Sequence, residues 1–93
     1  MKIYKNKATK YHPSIEVNSN EKIWHNMSVT HRPIKKKRYI KLKHNINPND
    51  QQESYVEKYV RKDPIRTRGE LLKKYRLSEE DLKQIEEFLY KKS

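Results

Sequence analysis

The chain has 93 residues, of which 32% are hydrophobic and 38% are charged, and its formal net charge at pH 7 is +11. These figures predict one small basic domain, residues 1–93, with a small core and no membrane span. The absence of cysteine excludes disulfides and thiolate metal sites, and the single glycine, Gly69, excludes glycine-rich phosphate loops. Because the first ten residues lack an apolar segment, a secretory signal is not expected and the predicted location is cytoplasmic.

The positive charge is concentrated in the first half of the chain. Residues 1–50 carry 12 Lys or Arg and 3 Asp or Glu, whereas residues 51–93 carry 11 and 9. Seven cations and no acid lie between Arg32 and Lys43. A polyanion bound to such a surface releases condensed counterions, so nucleic acid is one expected partner and an acidic protein segment is another. The plain alternative is a solvated basic face.

A β-hairpin is predicted over residues 11–30. Ile15 and Val17 share one face of the first segment, and the polar residues 18–21 supply a turn. The second segment alternates between two faces, with Ile23, His25, Met27 and Val29 on one and Trp24, Asn26, Ser28 and Thr30 on the other. Two alternating segments joined by a short polar turn are typical of antiparallel strands, and Pro33 is expected to end the second one.

A further strand over residues 38–43 alternates in the same way. With Ile40 and Leu42 inward, Tyr39, Lys41 and Lys43 project outward together, an arrangement that could stack a base and hold its phosphates. The alternative is an edge strand that lysines protect from aggregation. The predicted nucleic-acid-binding residues are Lys35, Lys36, Lys37, Arg38, Tyr39, Lys41 and Lys43.

The C-terminal part is predicted to be helical over residues 70–92, after a β-rich half over residues 11–62 and a basic segment over residues 1–10. Residues 55–60 read as a fourth strand that Asp63-Pro64 ends, and residues 70–75 as one helical turn. The main helix begins after Ser78, a natural N-cap with Asp81 three residues on, and packs through Leu82, Ile85 and Leu89. The predicted fold class is therefore mainly β with a C-terminal α-helix.

Candidate catalytic residues gather at the ends of the predicted hairpin. Cleavage of RNA without a metal needs a proton acceptor, a proton donor and a group that holds the phosphate. Thr30, His31 and Arg32 end the second strand, and His12 begins the first, so the hairpin brings them to one end. None of the four histidines has a metal-ligand spacing, so no metal or other cofactor is predicted, and His25 is expected to be a half-buried packing residue.

Several short segments resemble MazF/PemK-type toxins. Residues 12–17 (HPSIEV) and 27–31 (MSVTH) resemble two successive strands of that family, residues 38–42 (RYIKL) the next strand, and residues 77–85 (LSEEDLKQI) its closing helix. The resemblance implies a small SH3-like barrel with a C-terminal helix that forms a homodimer. It also implies metal-independent cleavage of single-stranded RNA, restrained by an antitoxin whose acidic segment covers the RNA groove.

By position, this resemblance makes Thr30 the active-site hydroxyl. The arginine that precedes the proline in that family is His12 here, so Arg32 would have to supply the guanidinium, and residues 1–10 do not match the family's opening strand and loop. The leading hypothesis is an RNA-binding protein that acts as a toxin-type endoribonuclease. The alternative is a non-catalytic phage or mobile-element protein that uses its basic face to bind nucleic acid or inhibit a partner. A DNA-binding module is a third hypothesis, but no helix-turn-helix pattern supports it.

Overall fold

The structure, a computed structural model, describes residues 1–92 and contains seven β-strands, two short 3₁₀ turns and one α-helix. The strands are β1 (Ile3–Asn6), β2 (His12–Ser19), β3 (Ile23–Thr30), β4 (Tyr39–Lys41), β5 (Tyr55–Glu57), β6 (Arg61–Pro64) and β7 (Arg68–Leu71). The 3₁₀ turns are Lys7–Thr9 and Ile65–Thr67, and the helix α1 is Glu79–Lys92. The predicted class, mainly β with a C-terminal helix, is confirmed. Within the described part of the chain, no helix is long and apolar enough to span a membrane.

All strands pair antiparallel in one sheet, in the order β4-β5-β3-β2-β1-β7, and β6 also pairs with β3. β3 is the central strand. β2 pairs with one edge of β3. At the other edge, residues 23–26 of β3 pair with β6, and residues 29–30 of β3 pair with β5. β4 and β7 do not pair with each other, so the sheet is not closed into the barrel that the toxin resemblance implied.

The two faces of the sheet differ in chemistry. The ladder registers place Ile3, Ile15 and Met27 side by side, and likewise Val29, Val56 and Ile40. These six side chains are buried and, with Leu42, Ile46 and the helix residue Ile85, form the hydrophobic core. The helix covers this apolar face, since Phe88 and Leu89 also pack against the core. The predicted contact through Leu82 is not part of this cluster.

The start of α1 is joined to the end of β4. Ser78 caps the helix as predicted, because its Oγ accepts the Asp81 N–H at 3.2 Å. Asp81 is fully buried, and its carboxylate accepts the backbone N–H groups of Lys43 at 2.8 Å and His44 at 3.3 Å. One half of the predicted capping pair is therefore present, the bond from the Asp81 N–H to Ser78 Oγ. The other half is not, because the Asp81 carboxylate binds the backbone that follows β4 and not that of Ser78.

Three strands lie where the sequence predicted none. β1 occupies the basic N-terminal segment, and β6 runs through Asp63-Pro64, so the predicted break there is wrong. The predicted helical turn over residues 70–75 is also wrong, because Glu70 and Leu71 belong to β7. Gly69 allows β7 to approach β1 closely, since a Cβ at this position would lie 2.8 Å from the Lys5 carbonyl oxygen.

Candidate nucleic-acid site

A cleft of about 250 Å³ lies on the polar face of the sheet, where β3 ends. We call it the β3 cleft. Its walls come from the 3₁₀ turn before β2, from β3, from the segment that follows β3, and from β4, β5 and β6. The lining residues are Thr9, His12, Ser28, Val29, Thr30, Arg32, Ile34, Lys37, Tyr39, Glu57 and Arg61. An imidazole, hydroxyls, guanidinium groups and a carboxylate therefore converge on one small space.

His12 and Thr30 meet here because of the hairpin register. Ser14 pairs with Ser28 and Ile15 pairs with Met27, and the same register continued by two residues sets His12 opposite Thr30. Residues directly opposite in an antiparallel pair share a face, so both side chains lie on the polar side. The structure thus brings together the imidazole and the hydroxyl that the sequence placed at one end of the hairpin.

Arg32 and His31 separate beyond the end of β3. The Arg32 N–H donates to Thr30 Oγ at 3.1 Å, which turns the chain and places Arg32 in the β3 cleft. Among the described residues, no carboxylate lies within ion-pair distance of the Arg32 guanidinium. His31 is not among the residues that line the β3 cleft; it lines an adjoining cavity of about 180 Å³, which shares Val29 and Thr30 with the cleft. Three of the four predicted catalytic residues therefore share the cleft, and His31 does not.

Arg61 is a cleft residue that the sequence analysis missed. Its Nε and Nη2 donate to the two carboxylate oxygens of Asp63, both at 3.0 Å. Asp63 is only 7% exposed, and its Oδ2 also accepts from Asn26 Nδ2 at 2.9 Å and Asn6 Nδ2 at 3.3 Å. Burial alone raises the pKa of Asp63, but the hydrogen bonds from Arg61, Asn26 and Asn6 outweigh it, and the pKa lies below its usual value.

Asn6 links this buried network to the opposite wall of the cleft. The residue is fully buried, its Nδ2 also donates to Ser14 and Asn26, and its Oδ1 accepts the Ala8 N–H at 2.9 Å. Its carbonyl oxygen accepts the Tyr11 N–H at 2.8 Å. One set of hydrogen bonds therefore fixes both Arg61 and the turn that precedes His12.

Glu57 supplies the only carboxylate among the residues that line the cleft. Its side chain is 18% exposed and lies 3.4 Å from Lys37 Nζ. Tyr39 is half-buried beside it, where the Tyr39 hydroxyl accepts the Ile34 N–H at 3.2 Å and the ring packs edge-on against Tyr55. The Glu57 carboxylate and the His12 imidazole therefore give the cleft two groups that can exchange protons with a ligand.

The predicted basic face is partly neutralised by neighbouring acids. Lys41 donates to Glu53 at 3.1 Å, Lys43 pairs with Glu80, and Lys37 pairs with Glu57. The hydrogen bond to Glu53 raises the pKa of Lys41. The hydrogen bonds from the Tyr55 hydroxyl and then from Lys41 lower the pKa of Glu53. Of the predicted nucleic-acid-binding cations, those with no carboxylate within 4.0 Å in the described chain are Lys35, Lys36 and Arg38, in the segment between β3 and β4.

A wider groove of about 920 Å³ lies between the loop over residues 44–54 and the segment before α1. It is larger than the β3 cleft, but Lys41 and Lys43 at its edge are both ion-paired, and His44 is its only imidazole. The groove also contains the carboxylates of Asp50 and Glu53 and the guanidinium of Arg76. We take the β3 cleft as the candidate site because it holds three of the four predicted catalytic residues.

Within residues 1–92, no three His, Cys, Asp or Glu side chains are placed to hold a metal ion together. Comparisons with protein-family models, with curated proteins and with solved structures give no match for this chain. The resemblance to MazF/PemK-type toxins therefore stays a prediction that depends on the segments quoted above.

Proposed function

We propose that this protein binds single-stranded RNA in the β3 cleft and cleaves it as an endoribonuclease without a metal ion. The observation that carries the proposal is that His12, Thr30, Arg32 and Arg61 line the same cleft. Guanidinium groups bind phosphate oxygens through parallel hydrogen bonds, and an imidazole transfers protons near neutral pH. In this proposal the protein acts in the cytoplasm, as a homodimer, and an acidic segment of an antitoxin restrains it.

The chemistry follows from the groups in the cleft. The ribose 2′-hydroxyl attacks the adjacent phosphorus while Glu57 accepts its proton. The bond from phosphorus to the 5′-oxygen breaks, and His12 in its protonated form donates a proton to that oxygen. The products are a 2′,3′-cyclic phosphate and a 5′-hydroxyl end. Arg32, the preoriented Arg61 and the Thr30 hydroxyl stabilise the negative charge that develops on the phosphate oxygens.

The test measures cleavage and binding separately. A single-stranded RNA with a fluorophore and a quencher reports cleavage in the presence of EDTA, and a 2′-O-methyl version, which lacks the attacking hydroxyl, reports binding. We expect His12→Ala to lower the cleavage rate by about 100-fold or more while binding of the 2′-O-methyl RNA persists. Thr30→Ala should lower cleavage in the same assay.

His31→Ala is the matched control, because this histidine follows Thr30 in sequence but is not among the residues that line the β3 cleft. We expect it to cleave at the wild-type rate. Equal cleavage by wild type and His12→Ala would remove His12 from the mechanism. Binding by the wild type without cleavage would favour the non-catalytic nucleic-acid-binding function. Failure to bind RNA, combined with tight binding of an acidic peptide, would instead favour a protein inhibitor.

A further inference from the structure

Three exposed apolar side chains belong to the chain segments that form the β3 cleft. Among residues 1–91, five large hydrophobic residues are exposed: Met1, Tyr11, Ile34, Tyr59 and Tyr90. Ile34 lines the cleft. Tyr11 lies between Thr9 and His12, and Tyr59 lies between Glu57 and Arg61, all four of which line it. One of the five therefore lies in the wall of the cleft, and two more lie within two residues of its lining along the chain.

The two tyrosines belong to segments that join opposite edges of β3. β3 forms its floor, and β2, which Tyr11 precedes, pairs with one edge of β3. β5 and β6, which Tyr59 connects, pair with the other edge. The Tyr11 and Tyr59 side chains are 61% and 54% exposed, respectively. A largely exposed tyrosine therefore belongs to the chain on each side of β3.

The backbone of Tyr11 supports a role beyond packing. Lys10 and Tyr11 have φ values of 56° and 65°, in the left-handed region that a bulky aromatic residue rarely adopts. The hydrogen bond from Tyr11 N–H to the buried Asn6 holds this conformation. An exposed tyrosine gains little from burial, and glycine or asparagine would fit this backbone better. Strained conformations of this kind are concentrated at binding and active sites.

We propose that Tyr11 and Tyr59 stack the two bases that flank the phosphate in the β3 cleft, so that the smallest ligand is a single-stranded dinucleotide. This inference rests on the proposed RNA function and adds the groups that recognise bases. Aromatic stacking requires unpaired bases, because the bases of a duplex already stack on one another. Inorganic phosphate has no flat apolar surface, and therefore uses only the cationic part of the site.

The test compares two probes by fluorescence anisotropy: a 2′-O-methyl octauridine, and an abasic octamer with the same phosphates. The wild type should bind the octauridine more tightly. Tyr11→Asn and Tyr59→Ala should each lower affinity for the octauridine by about 5-fold to 150-fold and leave affinity for the abasic octamer unchanged. Tyr11→Phe keeps the ring and should retain binding. Tyr90→Asn, which removes an 83%-exposed tyrosine from α1, is the matched control and should bind as the wild type does.

Thermal unfolding separates recognition from folding. Since asparagine tolerates the left-handed backbone, Tyr11→Asn should unfold at the same temperature as the wild type or higher, even though it binds octauridine more weakly. Equal affinity of the wild type for both probes would overturn the stacking inference and leave the RNA-binding function standing. Octauridine binding unchanged by Tyr11→Asn would also overturn it. Failure of the wild type to bind either probe would overturn the proposed function, and this inference with it.

Discussion

At the residue scale, Arg61 is the best-oriented cation of the β3 cleft. A guanidinium has five N–H donors, and Asp63 accepts two of them, one from Nε and one from Nη2. The remaining donors are available to a ligand. Because the carboxylate holds the group in place before a ligand arrives, little side-chain entropy is lost on binding. Arg32, which has no such partner among the described residues, has to be ordered by the ligand itself.

Removal of the Asp63 charge should affect both stability and the site. The pKa of Asp63 is lower in the folded chain than its usual value of 3.8, so its ionised form stabilises the fold above pH 3.8, and this contribution is lost as the pH falls below it. We expect Asp63→Asn to lower the unfolding free energy at pH 7 by about 1–3 kcal/mol and to make stability less sensitive to acid. RNA cleavage should also decrease, because Arg61 is no longer oriented.

Urea unfolding at pH 7 and at pH 3 measures this prediction. Glu70→Gln is the control, since Glu70 also pairs with a cation, Lys5, but these side chains are 64% and 44% exposed, respectively, and such exposed pairs contribute little. If Asp63→Asn lost as much stability between pH 7 and pH 3 as the wild type, the contribution assigned to this carboxylate would be wrong.

At the scale of single elements, the β2–β3 hairpin and α1 were predictable because their signals are local. Alternating residues and a polar turn define the hairpin, and Ser78 defines the start of the helix. The hairpin alone is enough to bring His12 and Thr30 into one cleft. Arg32 follows because it lies two residues after Thr30. This part of the candidate site could therefore be read from the sequence.

β1, β6 and β7 could not be predicted because the polar face of the sheet is also buried. Asn6, Asn26 and Asp63 occupy positions where an alternating pattern suggests solvent, but they bond to one another inside the fold. β6 also contains Pro64 and no large apolar residue, so nothing local marks it as a strand. Arg61 reaches the cleft only because β6 pairs with β3, and that long-range register has no signature in the sequence.

The connection between β4 and α1 yields a prediction at this scale. Asp81→Ala would leave the N–H groups of Lys43 and His44 without their acceptor, at a cost of about 1–3 kcal/mol for each donor that stays buried. Ser78→Ala removes one helix cap and should cost about 1 kcal/mol. Chemical denaturation should therefore rank Asp81→Ala as more destabilising than Ser78→Ala. Asp81→Asn, which keeps one acceptor oxygen, should lie between the wild type and Asp81→Ala.

At the scale of the whole molecule, the distribution of ion pairs matters more than the net charge of +11. Glu53 already neutralises Lys41, whereas Lys36 has no acidic neighbour within 4.0 Å in the described chain. We expect Lys36→Ala to reduce the salt dependence of RNA affinity by about one unit of slope and Lys41→Ala to reduce it less. Glu53→Gln should have the opposite effect and raise RNA affinity, because it releases Lys41.

Anisotropy titrations over a range of salt concentrations test this ranking, with Glu70→Gln as a control for a carboxylate on β7. A larger effect of Lys41→Ala than of Lys36→Ala would show that the Glu53 pair opens when RNA binds. In that case the solvated segment between β3 and β4 would not be the main contact for phosphates.

The pairing of β1 with β7 also has a consequence for the order of folding. Tyr4 is paired with Leu71 in this ladder, so the outer edge of β1, the first strand, is hydrogen-bonded by β7, the last strand. Pairings between residues so distant in sequence are slow to form, and a nascent chain emerging from the ribosome cannot make this one until residue 71 has been synthesised. Arg61 and Asp63 likewise join the hairpin late in translation. A truncated product that ends before β6 would contain His12, Thr30 and Arg32 but would lack Arg61 of the β3 cleft, and under the proposed function it should therefore leave RNA intact.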